Sequence, residues 1–130
     1  MAISYTYYDE LNLVVMKGSG RITAQDFKDF ILGLMSGKPS IKPGFIELAD
    51  MRFVEKNEIT QQEMLDIVHL EETCERPQPA KLAFVTASDA EFGAARQYAA
   101  HVHLESKAVE VFRSMHEAKQ WLGIDDFEIE

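Results

Sequence analysis

Residues 81–91 read Lys81-Leu-Ala-Phe-Val-Thr86-Ala-Ser88-Asp-Ala-Glu91, and this stretch decides the fold class. Lys81 to Thr86 is short and almost wholly apolar, as expected of a strand covered on both faces. Ser88 and Glu91 then stand at capping-box spacing, where a serine hydroxyl and an acid at N3 satisfy the free amides of a helix start. The spacing predicts a helix running to about Val102, with Phe92, Ala95 and Ala99 turned inward. A buried strand passing directly into a capped helix is half of a βαβ unit.

The same alternation extends in both directions. Upstream, Phe45 to Met51 reads as a strand followed by a polar loop. Thr60 and Glu63 form another box, opening a helix with Met64, Ile67 and Val68 inward that closes at Pro77. Before that strand, Thr23 and Asp26 start a helix whose Phe27, Phe30, Ile31 and Leu34 share one face, with Gly37 as its stop. Ser4 to Tyr8 and Leu11 to Lys17, joined at Asp9-Glu10, predict a hairpin with its first strand at a sheet edge, and Gly18 to Gly20 reads as a turn. Downstream come a strand at Ala108 to Phe112 and a helix capped by Ser114 and Glu117, with Ala118, Trp121 and Leu122 inward and Gly123 at its end. The order is ββαβαβαβα: an α/β fold with a mixed, mostly parallel sheet, an N-terminal hairpin and four helices.

At 130 residues the chain is the size of one domain, so residues 1–130 are read as a single unit. Apolar residues at 46% and charged ones at 27% are those of a chain that folds. The net charge of −9 repels a phosphate backbone, so nucleic acid is not expected as a partner. No stretch is apolar and long enough to cross a bilayer and Met1 to Glu10 does not read as a leader, so no membrane insertion is expected. Cys74 is the single cysteine, which fits a reducing, cytoplasmic setting.

The order of elements resembles the STAS domain, the fold of bacterial anti-sigma factor antagonists, and more closely the bacterial SpoIIAA-like proteins grouped with it. The resemblance is carried by Phe45-Ile-Glu-Leu-Ala-Asp50-Met-Arg-Phe-Val54 and by the closing Val109-Glu-Val-Phe-Arg-Ser-Met-His-Glu-Ala-Lys-Gln-Trp-Leu122. It implies a regulatory or interaction module. Members that act as phosphorylation switches carry Asp-Ser-Ser-Gly at the helix start, where this chain has Glu58-Ile59-Thr60-Gln61, so Thr60 alone keeps a hydroxyl there. Helix capping accounts for a threonine at that position without phosphorylation.

In a sheet of this kind ligands sit at the carboxyl ends of the strands, which directs attention to Gly18 to Thr23, Asp50 to Thr60, Thr86 to Asp89 and Phe112 to Ser114. The Ser88 helix start offers free amides to an anion, and Arg96 lies two turns on. Asp50 and Arg52 are placed to orient a polar ligand, or simply to pair with each other. On a helix His101 and His103 point to nearly opposite faces and cannot share a metal, unless the helix ends first and His101 to His103 is extended, while His69 and His116 stand alone, so no metal is expected. Cys74 sits among Glu71, Glu72 and Glu75, a field that opposes a thiolate nucleophile. No nucleophile elbow, P-loop or dinucleotide fingerprint is present, so neither a catalytic residue nor a cofactor is assigned.

The leading expectation is therefore a non-catalytic cytoplasmic regulatory or protein-interaction module. From Glu55 to Arg76 seven acids stand against two bases, a face suited to a basic protein partner. The alternative is a carrier of a small ligand or lipid, of Sec14-type character, using a mouth near Ser88 and Arg96. An enzyme ranks third. Tyr5, Tyr7 and Tyr8 on the edge strand suggest an uncovered aromatic surface and hence a two-fold homodimer with its interface away from the acidic helix.

Overall fold

A computed structural model describes residues 2–36, 40–73, 78–102 and 108–128, so Gly37, Cys74, Pro77 and His103 fall outside the described residues. The elements are β1 (Ile3–Tyr8), β2 (Leu13–Ile22), α1 (Ala24–Ser36), β3 (Ile46–Asn57), α2 (Gln61–Thr73), β4 (Lys81–Val85), α3 (Asp89–His101), β5 (Ala108–Phe112) and α4 (Met115–Leu122). They form one five-stranded sheet in the order β1-β2-β3-β4-β5, antiparallel only between β1 and β2. The α/β class, the hairpin and the four helices are as the sequence predicts.

This order dictates where the helices go. Each crossover from β2 onward moves one strand in the same direction, and right-handed connections place all three linking helices on the same face. Phe30, Ile31 and Leu34 of α1, Ile67 of α2 and Ala95 of α3 accordingly pack in one core with Met16 and Phe84 of the sheet. Helix α4 follows the last strand and has no crossover to make, so it covers the opposite face. There Ala118, Leu122 and Ile124 close over Leu13, Val15, Leu48, Ala83 and Val85.

The helix starts follow the capping rules. Thr23 and Asp26 exchange bonds, the Thr23 amide donating to Asp26 Oδ2 at 2.8 Å and the Asp26 amide to Thr23 Oγ1 at 3.3 Å. Thr60 and Glu63 do the same at 2.9 and 3.1 Å. Replacing Thr60 by alanine removes the acceptor for the Glu63 amide and should cost about 1 kcal/mol, with Thr60→Ser close to wild type. Urea denaturation of both variants checks this, and an unchanged Thr60→Ala midpoint would contradict it.

Four expectations need correction. Gly18 to Gly20 is not a turn: β2 runs through it to Ile22, and β3 continues to Asn57 where a polar loop was expected after Met51. The two strands stay paired along this extension, with register shifts after Lys17 and Gly20. Gly18 serves that pairing through close approach, since a Cβ there would lie 2.8 Å from Ile22 Cδ1 and 3.0 Å from Met51 Sδ. At Gly20, φ is +66°, which suits glycine at a shift of register.

Helix α3 is turned by about one residue from its expected orientation: Glu91 and Ala95 are buried with Tyr98 packed beside them, while Phe92 and Ala99 are half-buried. Phe92 instead carries guanidinium groups on its ring, Arg113 at 4.3 Å and Arg96 at 5.8 Å. The edge-strand tyrosines are not an open aromatic patch. Tyr5 donates to the Gly33 carbonyl at 3.0 Å, Tyr7 to Asn12 Oδ1 at 2.6 Å, and the Tyr8 ring meets Phe127 edge-on at 4.8 Å. Strand β1 is at the sheet edge as expected, but its rings are used within the chain.

Candidate functional site

The extended β3 and the starts of α2 and α3 leave a cleft of about 320 Å³ at the carboxyl edge of the sheet. Its walls are Glu55, Lys56 and Asn57 from β3, Ile59, Gln61 and Met64 at the start of α2, and Ser88, Ala90, Glu91, Ala94 and Gln97 at the start of α3. Beside it lies a pocket of about 60 Å³, lined by α1, α2, α3 and the sheet. Asn57, Ile59, Met64, Glu91 and Ala94 line both spaces, so the cleft adjoins the cavity. The interior alone has room for on the order of four water molecules.

The cavity is apolar over most of its surface, with Met16, Phe27, Phe30, Met51, Ile67 and Phe84 among its walls. Carboxylates from three elements also reach it: Glu47 of β3, Glu71 of α2 and Glu91 of α3, each under 10% exposed. The Tyr98 hydroxyl donates to Glu71 Oε1 at 2.7 Å, and the Tyr98 ring stands edge-on to Phe84 at 5.5 Å. Among the described residues no lysine, arginine or histidine lines this interior, and no group of acids, histidines and cysteines is placed to hold a metal ion.

Glu91 reaches the site by abandoning half of its cap. Its backbone amide donates to Ser88 Oγ at 3.1 Å, as a capping box requires. The side chain, however, turns inward beside Asn57, because α3 needs its Glu91, Ala95 and Tyr98 stripe against the sheet. Burial pushes the Glu91 carboxyl above the ordinary glutamate value of 4.5, with the neighbouring Asn57 side chain working the other way. The folded protein therefore holds this proton more tightly than the unfolded chain, so the associated stability is present at low pH and is lost as pH rises through the folded value. Glu91→Gln should consequently gain on wild type between pH 4 and pH 7, read from urea midpoints. A wild-type-minus-variant difference that is the same at both pH values would refute this.

The residues singled out from sequence are divided among three places. Ser88 lines the mouth. Thr60 caps α2 between two mouth residues without being a wall itself. Arg96 lies on the outside of α3 over Phe92 and lines neither space, and Asp89 pairs at 2.7 Å with Arg113. Asp50 and Arg52 are strand residues rather than loop residues. Alternation along β3 puts Asp50 on the face opposite Glu47, where it is buried and takes Arg52 Nε and NH2 at 2.9 Å each. That pair satisfies itself away from the cleft, and Asp50 holds the Arg52 guanidinium above its usual pKa through their hydrogen bonds.

The acidic second helix is less uniformly a surface than its composition suggests, since Glu71 is buried in the cavity wall. Helix α3 ends at His101. The signal for the interior acids was present in sequence as Glu47 within the apolar run of β3, and as Glu91, Ala95 and Tyr98 at i, i+4, i+7.

The chain is similar in structure to a protein of the DUF3478 family with a SpoIIAA-like fold from Shewanella loihica PV-4. The two are 17% identical, the match covers 93% of this chain and 94% of that one, and the TM-score is 0.65. The fold of this chain is SpoIIAA-like. No family model matches it, and no curated protein sequence does. Among the described residues no helix is long and apolar enough to cross a membrane.

Proposed function

We propose that the chain is a binding module for a small, largely apolar molecule, taken up between the extended end of β3 and the first turns of α2 and α3. The observation that carries this reading is the cleft of about 320 Å³ adjoining an apolar interior cavity at the carboxyl edge of the sheet. Ligand sites in parallel sheets gather at that edge, and small-molecule pockets start at about 300 Å³ with mostly apolar walls and a few polar groups. The carrier alternative is thereby preferred over recognition through the acidic helix, because Ser88 borders a concave site while Glu71 is withdrawn from that helix's surface.

A fragment screen by thermal shift and amide NMR tests the reading, with Ala94→Trp as a plug. Ala94 lines both spaces and is half-buried, so an indole there intrudes on both. Apolar fragments should raise Tm and shift resonances of Ile59, Met64 and Ala94 in wild type, and lose both effects in Ala94→Trp. A ligand at a hundred times its Kd stabilises by about 2.7 kcal/mol, well within detection. The reading fails if no fragment binds at millimolar concentration, or if the plug leaves binding intact.

A further inference from the structure

We infer that β1 is the interface of a two-fold homodimer, its open edge pairing antiparallel with the same strand of a second copy so that two five-stranded sheets become one. The inference is independent of the cleft. Strand β1 pairs with β2 on one side, in unbroken register from Ile3 opposite Gly18 to Tyr8 opposite Leu13, and among the described residues no backbone group of Ile3 to Tyr7 is bonded on the other side. Such a row of free donors and acceptors is a template for another strand unless charge, proline or a bulge blunts it. Ile3-Ser-Tyr-Thr-Tyr-Tyr8 has no charged residue, no proline and no shift of register. The other open edges are blunted. Strand β3 leaves β4 after Asp50, and its free stretch carries Arg52, Glu55 and Lys56 together with both shifts of register. Strand β5 is five residues long with Glu110 at its middle.

A second copy is the occupant that this edge fits. Tyr5 and Tyr7 are tied by their hydroxyls to Gly33 and Asn12, so the strand is already held in the extended form that pairing needs. Ile3, Tyr5 and Tyr7 pack on the side of α1, and alternation leaves Ser4 and Thr6 exposed on the other face. A two-fold axis perpendicular to the sheet keeps each face on its own side, so residues brought opposite one another share a face. Centred on Tyr5, that axis sets Ser4 opposite the partner's Thr6 twice, with small hydroxyl side chains at cross-strand distance and no like charges. The net charge of −9 is not concentrated here: α1 is the helix that packs on β1, and Lys17 stands opposite Ser4 on β2. Because both copies use the same edge, the contact closes at two chains.

Light scattering at about 50 µM and physiological salt should give twice the chain mass of 14.8 kDa. Ser4→Glu with Thr6→Glu sets acid opposite acid on both sides of the axis and should weaken dimerisation at least about tenfold. Ser4→Glu with Thr6→Lys sets acid opposite base instead and should stay within about threefold of wild type. Both positions are exposed and a glutamate at position 4 stands beside Lys17, so each variant should fold, which circular dichroism checks. Amide exchange on the wild type gives a second readout that needs no variant: alternate amides of β1 should slow as protein concentration rises. A monomeric mass at about 200 µM overturns the inference and leaves the edge to a strand of another protein. A dimer that survives the double-glutamate variant, that both variants weaken alike, or that leaves β1 exchange independent of concentration overturns pairing through this strand.

Discussion

Phe84→Ala should cost about 3–5 kcal/mol of folding stability, and an apolar guest should restore part of it. Phe84 is 7% exposed on β4, which has a strand on either side, and its ring is held edge-on against Tyr98 across the cavity. Its removal forfeits the transfer free energy of the ring, the aromatic contact and the packing of every wall that faced it. The surrounding helices cannot collapse freely into the space, because α3 is anchored by its Ser88 cap and Tyr98 is tied to Glu71. The interior should therefore enlarge from its present 60 Å³ or so, and benzene or toluene should raise the Tm of the variant by more than that of wild type. Urea denaturation with and without the guest measures both effects. A loss below about 1 kcal/mol would show that the ring is not the packing element described.

Leu122→Ala should be nearly as severe, at about 2–5 kcal/mol, although it lies near the end of an eight-residue helix. The topology explains the expectation. Three helices share one face of the sheet, whereas the other has α4 and the turn beyond it to cover Leu13, Leu48 and Val85. Leu122 is 7% exposed at that contact, and isolated helices of this length do not hold themselves together in water. Leu65→Ala on α2, where the side chain is 41% exposed, should stay within about 0.5 kcal/mol. Equal losses for the two leucines would mean that α4 is not the cover its packing indicates.

Much of this architecture was legible residue by residue. Thr23 with Asp26 and Thr60 with Glu63 cap where their spacing predicts, and the apolar stripe of α1 packs as read. The order of elements along the chain follows, because each decision involves groups a few residues apart and each has one good local solution. Ser88 borders the cleft at the carboxyl edge of the sheet, an edge that strand ends and helix starts locate without any tertiary contact.

What only the tertiary structure decided is where the polar groups end up. Local rules send Glu91 to the surface as the acid of a capping box, whereas packing α3 on the sheet turns it into the cavity. Alternation within the expected strand already separates Glu47 from Asp50, but only the continuation of β3 through Arg52 keeps the Asp50–Arg52 pair on the strand instead of in a loop. The edge tyrosines looked like an open surface until Gly33, Asn12 and Phe127 came to meet them. The cavity itself is the clearest case. It is a space left between α1, α2, α3 and the sheet, and a volume bounded by residues from Met16 to Tyr98 has no counterpart in any local stretch. Spacing along a chain specifies which bonds a short segment can satisfy by itself, while a binding site depends on which surfaces remain apart after distant segments have packed.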